Sequence, residues 1–287
     1  MRLLRVGLAG QETPAVESDG ILFDLASITD DIDGAFLASP ERQQAVKEAL
    51  RAGSLPPLHA DAERRIGAPI ARPQGIFCIG LNFAAHAAES GAAEPAEPIV
   101  FLKTPNTISG PHDDLVIPPG STKTDWEVEL GVVIGRPAYR LARVEDAWDH
   151  IAGYVLANDV SEREHQLERS GGQWSKGKIA PGFSPVGPYL VTADEVDPSD
   201  LGIRSFVNGE VRQDSSTSDL IFTVPEIIHH LSAFVRLEPG DLVLTGTPEG
   251  VALSGRFPYL AGGDVVEVEI DGLGRQRQHV VQGVDPA

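Results

Sequence analysis

From Pro73 onward the chain is written as short apolar runs separated by Gly- and Pro-rich turns, which confines it to a fold built mainly of strands. The runs are Gly75 to Gly80, Ile99 to Lys103, Trp126 to Ile134, Gly153 to Val160, Gly187 to Val191, Ile203 to Val207, Asp241 to Thr245 and Val265 to Ile270. Each has the length of a strand, and the turn residues between them allow the chain to reverse. Pro239-Gly240-Asp241 and Gly262-Gly263-Asp264 both precede β-rich runs, as two turns feeding strands of one sheet system. Helical pieces are fewer: Val144 to His150, Ser161 to Glu168 and Val224 to Phe234. Before Pro73 come strand-like pieces at Leu3 to Leu8 and Gly20 to Leu25, then a charged, Ala-rich helical stretch from Pro40 to Ala52 that Gly53 closes. Pro69 and Pro73 bracket the way out. The expected architecture is a β-dominated α+β fold with a small N-terminal α+β domain over 1–70 and a large domain over 71–287.

One strand in that series carries chemistry. In Asp125-Trp126-Glu127-Val128-Glu129-Leu130 the two glutamates alternate with apolar residues, and Asp159 ends a second strand. Successive side chains of an extended segment point to opposite faces, so Glu127 and Glu129 share one face. Two like charges on a half-buried strand are unfavourable unless a cation compensates them. Glu127, Glu129 and Asp159 are therefore a candidate site for a hard divalent cation.

Other polar residues stand out within apolar text. Ser161 and Glu164 have the spacing of a capping box, which would start a helix beside Asp159 and place Arg163 and Gln166 on one face near its positive end. Arg163 either meets an anionic ligand there or pairs with Glu127 or Asp159 in a buried network. Asn82 to Glu89 reads as a short capped helix with His86 and Glu89 as i,i+3 neighbours, an imidazole–carboxylate pair suited to a general base on a closing loop. Lys176 and Lys178 lie in a Gly-flanked turn; each is either solvated or a partner for a substrate carboxylate or enolate oxygen. Leu244 to Val251 is a strand end entering a Gly/Pro turn, where Thr247 can meet a ligand.

Composition excludes several classes. With 42 acidic and 23 basic residues the formal charge is -19, which repels phosphate backbones and anionic lipid, so nucleic acid and membrane partners are not expected. The single cysteine, Cys78, rules out an intramolecular disulfide and a cysteine-based zinc cage. No apolar stretch reaches membrane-spanning length and the N-terminus lacks a cleavable signal pattern, so the cytoplasm is the expected location. The P-loop, Gly-x-Gly-x-x-Gly, His-Glu-x-x-His and Gly-x-Ser-x-Gly patterns are missing.

Taken in order, these segments resemble the fumarylacetoacetate hydrolase superfamily. The resemblance runs from Pro73 to about Val281. It includes Gly80-Leu81-Asn82-Phe83 with His86 and Glu89, Glu127-Val128-Glu129-Leu130, and Asn158-Asp159-Val160-Ser161-Glu162-Arg163 with Gln166. Gln173-Trp174 with Lys178, Val207-Asn208-Gly209-Glu210, and Pro239-Gly240-Asp241 leading to Thr245-Gly246-Thr247-Pro248 continue it. The resemblance implies a mixed β-sandwich or β-roll and a homodimer. It implies Mg²⁺ or Mn²⁺ held by Glu127, Glu129 and Asp159, and His86 with Glu89 as a water-activating dyad on a lid. Arg163, Gln166, Lys178 and Thr247 are then substrate contacts. Many members carry an Asp three residues after the lysine, where this chain has Pro181 in Lys178-Ile179-Ala180-Pro181-Gly182-Phe183.

The implied chemistry begins with a small-molecule 2-oxo acid that chelates the ion through its carboxylate and carbonyl. The stretch Ser161 to Arg169 with Gly172-Gln173-Trp174 looks most like members that hydrolyse 2,4-diketo-3-deoxy sugar acids, so hydrolysis of a 2,4-diketo acid to pyruvate is expected. Alternatives through the same enolate are oxaloacetate decarboxylation and isomerisation of 2-hydroxyhepta-2,4-diene-1,7-dioate type. A catalytically silent metal-binding scaffold is the alternative of another class.

Overall fold

The computed structural model describes residues 1–58 and 64–284. The parts of the two expected domains at 59–63 and 285–287 lie outside the described residues. Within the described residues the chain is a β-dominated α+β fold whose two large mixed sheets pack face to face, with a two-stranded pair beside them and few helices.

The central sheet has 11 strands among the described residues. Its core is Val128–Ile134, buried at every position, between Ile151–Asn158 and Leu242–Leu244. A strand covered on both faces reads as an uninterrupted apolar run, and Val132-Val133-Ile134 is that signature. Leu242–Leu244 then pairs in parallel with Ile76–Gly80, and the antiparallel Ile99–Lys103 ends the sheet on that side. On the other side Ser184–Thr192 pairs with Arg2–Val6, which brings in Thr13–Ser18 and Ile21–Asp24. The N-terminal strands are thus hydrogen-bonded into the same sheet as the rest of the chain.

A second sheet of five strands, which contains Gly202–Val207, Val265–Ile270 and Gly274–Gln282, packs on one face. Leu130, Val132, Tyr154 and Leu156 meet Ile203, Val268 and Ile270 there, joined by Ile227, Ile228 and Leu231 of the helix Val224–Phe234. Opposite, Val133, Val155, Leu242 and Leu244 share a core with Phe36 and Val46 from the N-terminal helices. Both long helices start as the sequence reading expects. Ser39 caps Pro40–Ala52 through the Arg42 amide and Gly53 closes it at a φ of 62°, while Thr223 and Glu226 form a capping box on Val224–Phe234.

Two expected helices differ. Val144–His150 is a 3₁₀ helix. The expected helix from Ser161 to Glu168 is broken, because Ser161–Glu162 forms a short strand pair with Thr124–Asp125 and only Glu164–Glu168 turns helically, as one π turn. Ser161 does not cap it: its hydroxyl donates to the Asp159 carbonyl, and Glu162 accepts from the His165 amide at 2.6 Å. Tertiary strand pairing overrides the local capping pattern here.

Candidate active site

Antiparallel register builds the acidic cluster. Val128 lies opposite Asn158, the Asp159 amide donates to the Glu127 carbonyl at 2.8 Å, and the Glu127 amide donates to Asn158 Oδ1 at 3.0 Å. Glu129 follows on the same face. One carboxylate oxygen from each of Glu127, Glu129 and Asp159 lies within 4.8 Å of the others, and all three residues are buried.

Three cations surround these carboxylates. Lys178 Nζ donates to Glu127 Oε2 at 2.6 Å and to Asp159 Oδ2 at 2.7 Å. Lys103 Nζ donates to Asp159 Oδ1 at 2.5 Å and to the Phe183 carbonyl at 2.6 Å. Arg163 reaches Glu127 Oε1 at 2.7 Å, Asp125 Oδ2 at 2.8 Å and Gln166 Oε1 at 2.8 Å. Among the described residues Glu129 has no such cation in contact; its Oε2 accepts the Gly246 amide at 2.8 Å. That amide approaches because residue 246 is glycine at a φ of 101°, where a Cβ would meet Asn82 Cβ at 2.8 Å.

The carboxylates are driven apart electrostatically. Burial favours the neutral form of Glu127, but Lys178 and Arg163 outweigh it and hold its carboxyl well below the ordinary range. Burial and the charges of Asp159 and Glu127 push Glu129 well above that range. Lys178 is buried, which opposes its charge, yet Asp159 and Glu127 hold its proton more firmly than an ordinary lysine's.

A cavity of about 360 Å³ opens over the cluster, lined among others by His86, Glu89, Glu127, Glu129, Gln166 and Lys178. His86 and Glu89 sit on the short helix Ala84–Glu89, with His86 Nδ1 3.8 Å from Glu89 Oε2 and without a hydrogen-bond partner among the described residues. Glu89 is fastened to the Gly250 amide at 3.0 Å. Burial raises its carboxyl pKa, but His86 and that amide hold it below the ordinary value. The expected Asn82 cap is not made. The Asn82 side chain instead bridges the Phe222 and Thr245 carbonyls at 3.0 and 2.8 Å and the Phe222 amide at 2.8 Å, so Phe83 starts the helix uncapped.

Eight of the nine expected site residues line this cavity, and the ninth, Asp159, is buried behind it against Lys178. Lys178 points inward, whereas Lys176 is exposed. Arg163 lines the cavity but is turned onto Asp125 and Glu127, so its first task is to orient Glu127. The Thr247 hydroxyl donates to the Val128 carbonyl at 2.9 Å and accepts from Gln213 Nε2 at 2.7 Å. Gln213 Oε1 accepts the Val128 amide at 3.1 Å, which fixes the direction of its amide.

The sequence pattern does not single out Lys103, Asp125 or Gln213. Phe101 and Lys103 are buried while Val100 and Leu102 are 41% and 52% exposed, a sidedness that the uniformly apolar run before Lys103 does not display.

The donor set suits a hard divalent cation: carboxylate oxygens alone, no thiolate or imidazole within the triad, and a Glu129 carboxyl whose charge no lysine or arginine among the described residues contacts. Buried like charges without such an ion are expensive.

Comparison with known proteins shows the family to which the chain belongs. Residues 75–281 match the family model described as fumarylacetoacetate (FAA) hydrolase C-terminal. A 2,4-didehydro-3-deoxy-L-rhamnonate hydrolase of Sphingomonas sp. strain SKA58 is 44% identical over 285 residues, which cover 98% of this chain and 96% of the relative. The crystal structure of maleylpyruvate hydrolase from Sphingobium sp. SYK-6, in complex with manganese(II) and pyruvate, superposes with a TM-score of 0.82 at 29% identity, covering 99% of this chain and 100% of that one. The 5-carboxymethyl-2-hydroxymuconate delta-isomerase from Mycobacterium smegmatis gives a TM-score of 0.78 at 33% identity, with the same coverage.

Proposed function

Since the chain belongs to the fumarylacetoacetate hydrolase family, we propose that it is a metal-dependent hydrolase that splits a 2,4-diketo acid, an acylpyruvate or a 2,4-diketo-3-deoxy sugar acid, into pyruvate and a carboxylic acid. The observation that carries this reading is the convergence of three buried carboxylates, within 4.8 Å, on a cavity that also holds His86, Glu89 and Lys178. Glu127, Glu129 and Asp159 would hold Mg²⁺ or Mn²⁺. A bound ion supplies Lewis acidity toward the 2-oxo acid end of the substrate.

The chain's own residues divide the remaining work. His86 takes a proton from water, and Glu89 beside it stabilises the imidazolium that results. The hydroxide adds to the C4 carbonyl and the C3–C4 bond breaks, leaving the electron pair on the pyruvyl fragment as an enolate. Protonation at C3 gives pyruvate, so one water is consumed and one carboxylic acid released. Lys178, whose proton is firmly held, provides positive charge for the enolate oxygen. Arg163 keeps Glu127 oriented, and Gln166, fixed by Arg163, presents its amide nitrogen to the oxygen at the attacked carbon.

The maleylpyruvate hydrolase likeness supports hydrolysis with release of pyruvate; the isomerase likeness supports a second reading in which the same site moves a proton without breaking the bond. A homodimer in the cytoplasm belongs to the proposal, and the exposed Val100 and Leu102 on the terminal strand are an apolar surface for a second copy to cover. The test is pyruvate release from 2,4-diketo acids with Mg²⁺ or Mn²⁺ and its loss with chelator. Double-bond migration in an unsaturated 2-oxo diacid, with no pyruvate from any 2,4-diketo acid, would replace hydrolysis by isomerisation.

A further inference from the structure

The cavity wall contains two permanently charged cations, Arg163 and Lys178, and both are already committed. Arg163 serves Asp125, Glu127 and Gln166 at 2.7 to 2.8 Å, and Lys178 serves Glu127 and Asp159 at 2.6 and 2.7 Å. Lys103, behind them, serves Asp159 and the Phe183 carbonyl. Beside the cavity, Arg256 lies 3.5 Å from Glu89 and over the Phe257 ring. The rest of the wall is apolar, through Ile79, Leu81, Phe101, Leu167, Trp174 and Leu253, acidic through Glu89, Glu127 and Glu129, or polar. The Gln166 amide shows this best: its oxygen accepts from a guanidinium that can only donate, so its uncommitted atom is a neutral N–H donor.

A divalent ion on Glu127, Glu129 and Asp159 would offer positive charge to one substrate carboxylate, while Glu89, Glu127 and Glu129 already make the wall acidic. A second carboxylate would enter a cavity with no uncommitted lysine or arginine among the described residues to receive it, in a protein of net charge -19.

Resting on the hydrolase reading above, we infer that the substrate carries one carboxylate and an uncharged distal chain, and that dicarboxylic 2,4-diketo acids are selected against. The distal chain is bounded by apolar side chains and met by neutral donors, which suits hydroxyl or carbonyl oxygens on a short carbon chain.

The experiment compares two seven-carbon substrates that differ only in the far end, 2,4-dioxoheptanoate and 2,4-dioxoheptanedioate, by kcat/KM for pyruvate release with saturating Mn²⁺. In parallel, calorimetry compares binding of 2-oxohexanoate and 2-oxohexanedioate to the Mn²⁺-loaded protein. A preference of more than about tenfold for the monoacid in turnover is expected, because an unpaired carboxylate against apolar and acidic walls is disfavoured by at least that factor. Turnover of the diacid within that factor, or better, would overturn the inference while leaving hydrolysis standing. If neither compound releases pyruvate the hydrolase reading fails, and binding then decides: tighter binding of the monoacid supports the one-carboxylate cavity, and equal or tighter binding of the diacid overturns it.

Discussion

Lys103 and Asp159 form a fully buried ion pair at 2.5 Å that joins the edge strand of the central sheet to the acidic cluster. The pair has a direct structural consequence. Lys103 also donates to the Phe183 carbonyl, so its ammonium ties the turn after Lys178 to the same point. Replacing it in Lys103→Met leaves Asp159 with Lys178 alone. Loss of one partner of a buried pair costs on the order of 3 kcal/mol, and a fall of that size in denaturant-derived stability is expected. Unchanged stability would mean that water, and not Lys103, compensates Asp159.

Glu129 is the carboxylate whose charge the metal-free protein tolerates least. Its pKa is raised by burial, Asp159 and Glu127, so the folded state holds a proton that the unfolded chain releases above the ordinary value of 4.5. Metal-free stability is therefore lost as pH rises from that value toward the raised one. Glu129→Gln, which keeps an acceptor for the Gly246 amide, is expected to melt higher than the parent in chelator at neutral pH, and to gain nothing from Mg²⁺. Thermal melts with and without the ion measure both; a lower melting point in chelator would contradict the electrostatic assignment.

His86→Ala removes the proposed base while leaving the three carboxylates in place. Binding of Mn²⁺ and of oxalate is expected to persist, while pyruvate release falls by about 10² to 10⁴-fold. Turnover at the parental rate would take His86 out of the mechanism.

How far this site was readable depended on the range of the interactions. The alternation of Glu127 and Glu129 with Val128 and Leu130 is local, and it gave the shared face directly. Asp159 was legible because it closes an apolar strand. Lys103 was hidden because it also ends an apolar strand, where a lysine ordinarily marks the solvent end. The capping pattern at Ser161 misled because Ser161–Glu162 pairs with Thr124–Asp125, about forty residues back, a preference that local spacing cannot register. The pairing of Leu3 with Leu190 is longer-ranged still, and nothing near residue 3 announces it.

Arg65 links the N-terminal segment to the turn before the strand Leu115–Ile117, reaching Glu12 at 2.8 Å and Asp113 twice at 2.7 Å. Burial raises both carboxyls, but the Arg65 hydrogen bonds outweigh it and hold them below their ordinary 4.5 and 3.8. Depressed values give stability that is present above those figures and lost as pH falls below them. Arg65→Met is expected to cost about 1 kcal/mol at neutral pH, since the pair is partly solvated, and to flatten the decline on acidification. Parallel stability curves for parent and variant between pH 3 and pH 6 would contradict this.

The central claim is that Glu127, Glu129 and Asp159 hold one divalent ion. It is tested most directly by calorimetric titration of Mn²⁺ into chelator-treated protein, alongside Glu127→Gln and Asp159→Asn. One ion per chain, with binding weakened by at least about 10²-fold in each variant, is the expected result. Full-strength binding in either variant, or no binding in the parent, would contradict it.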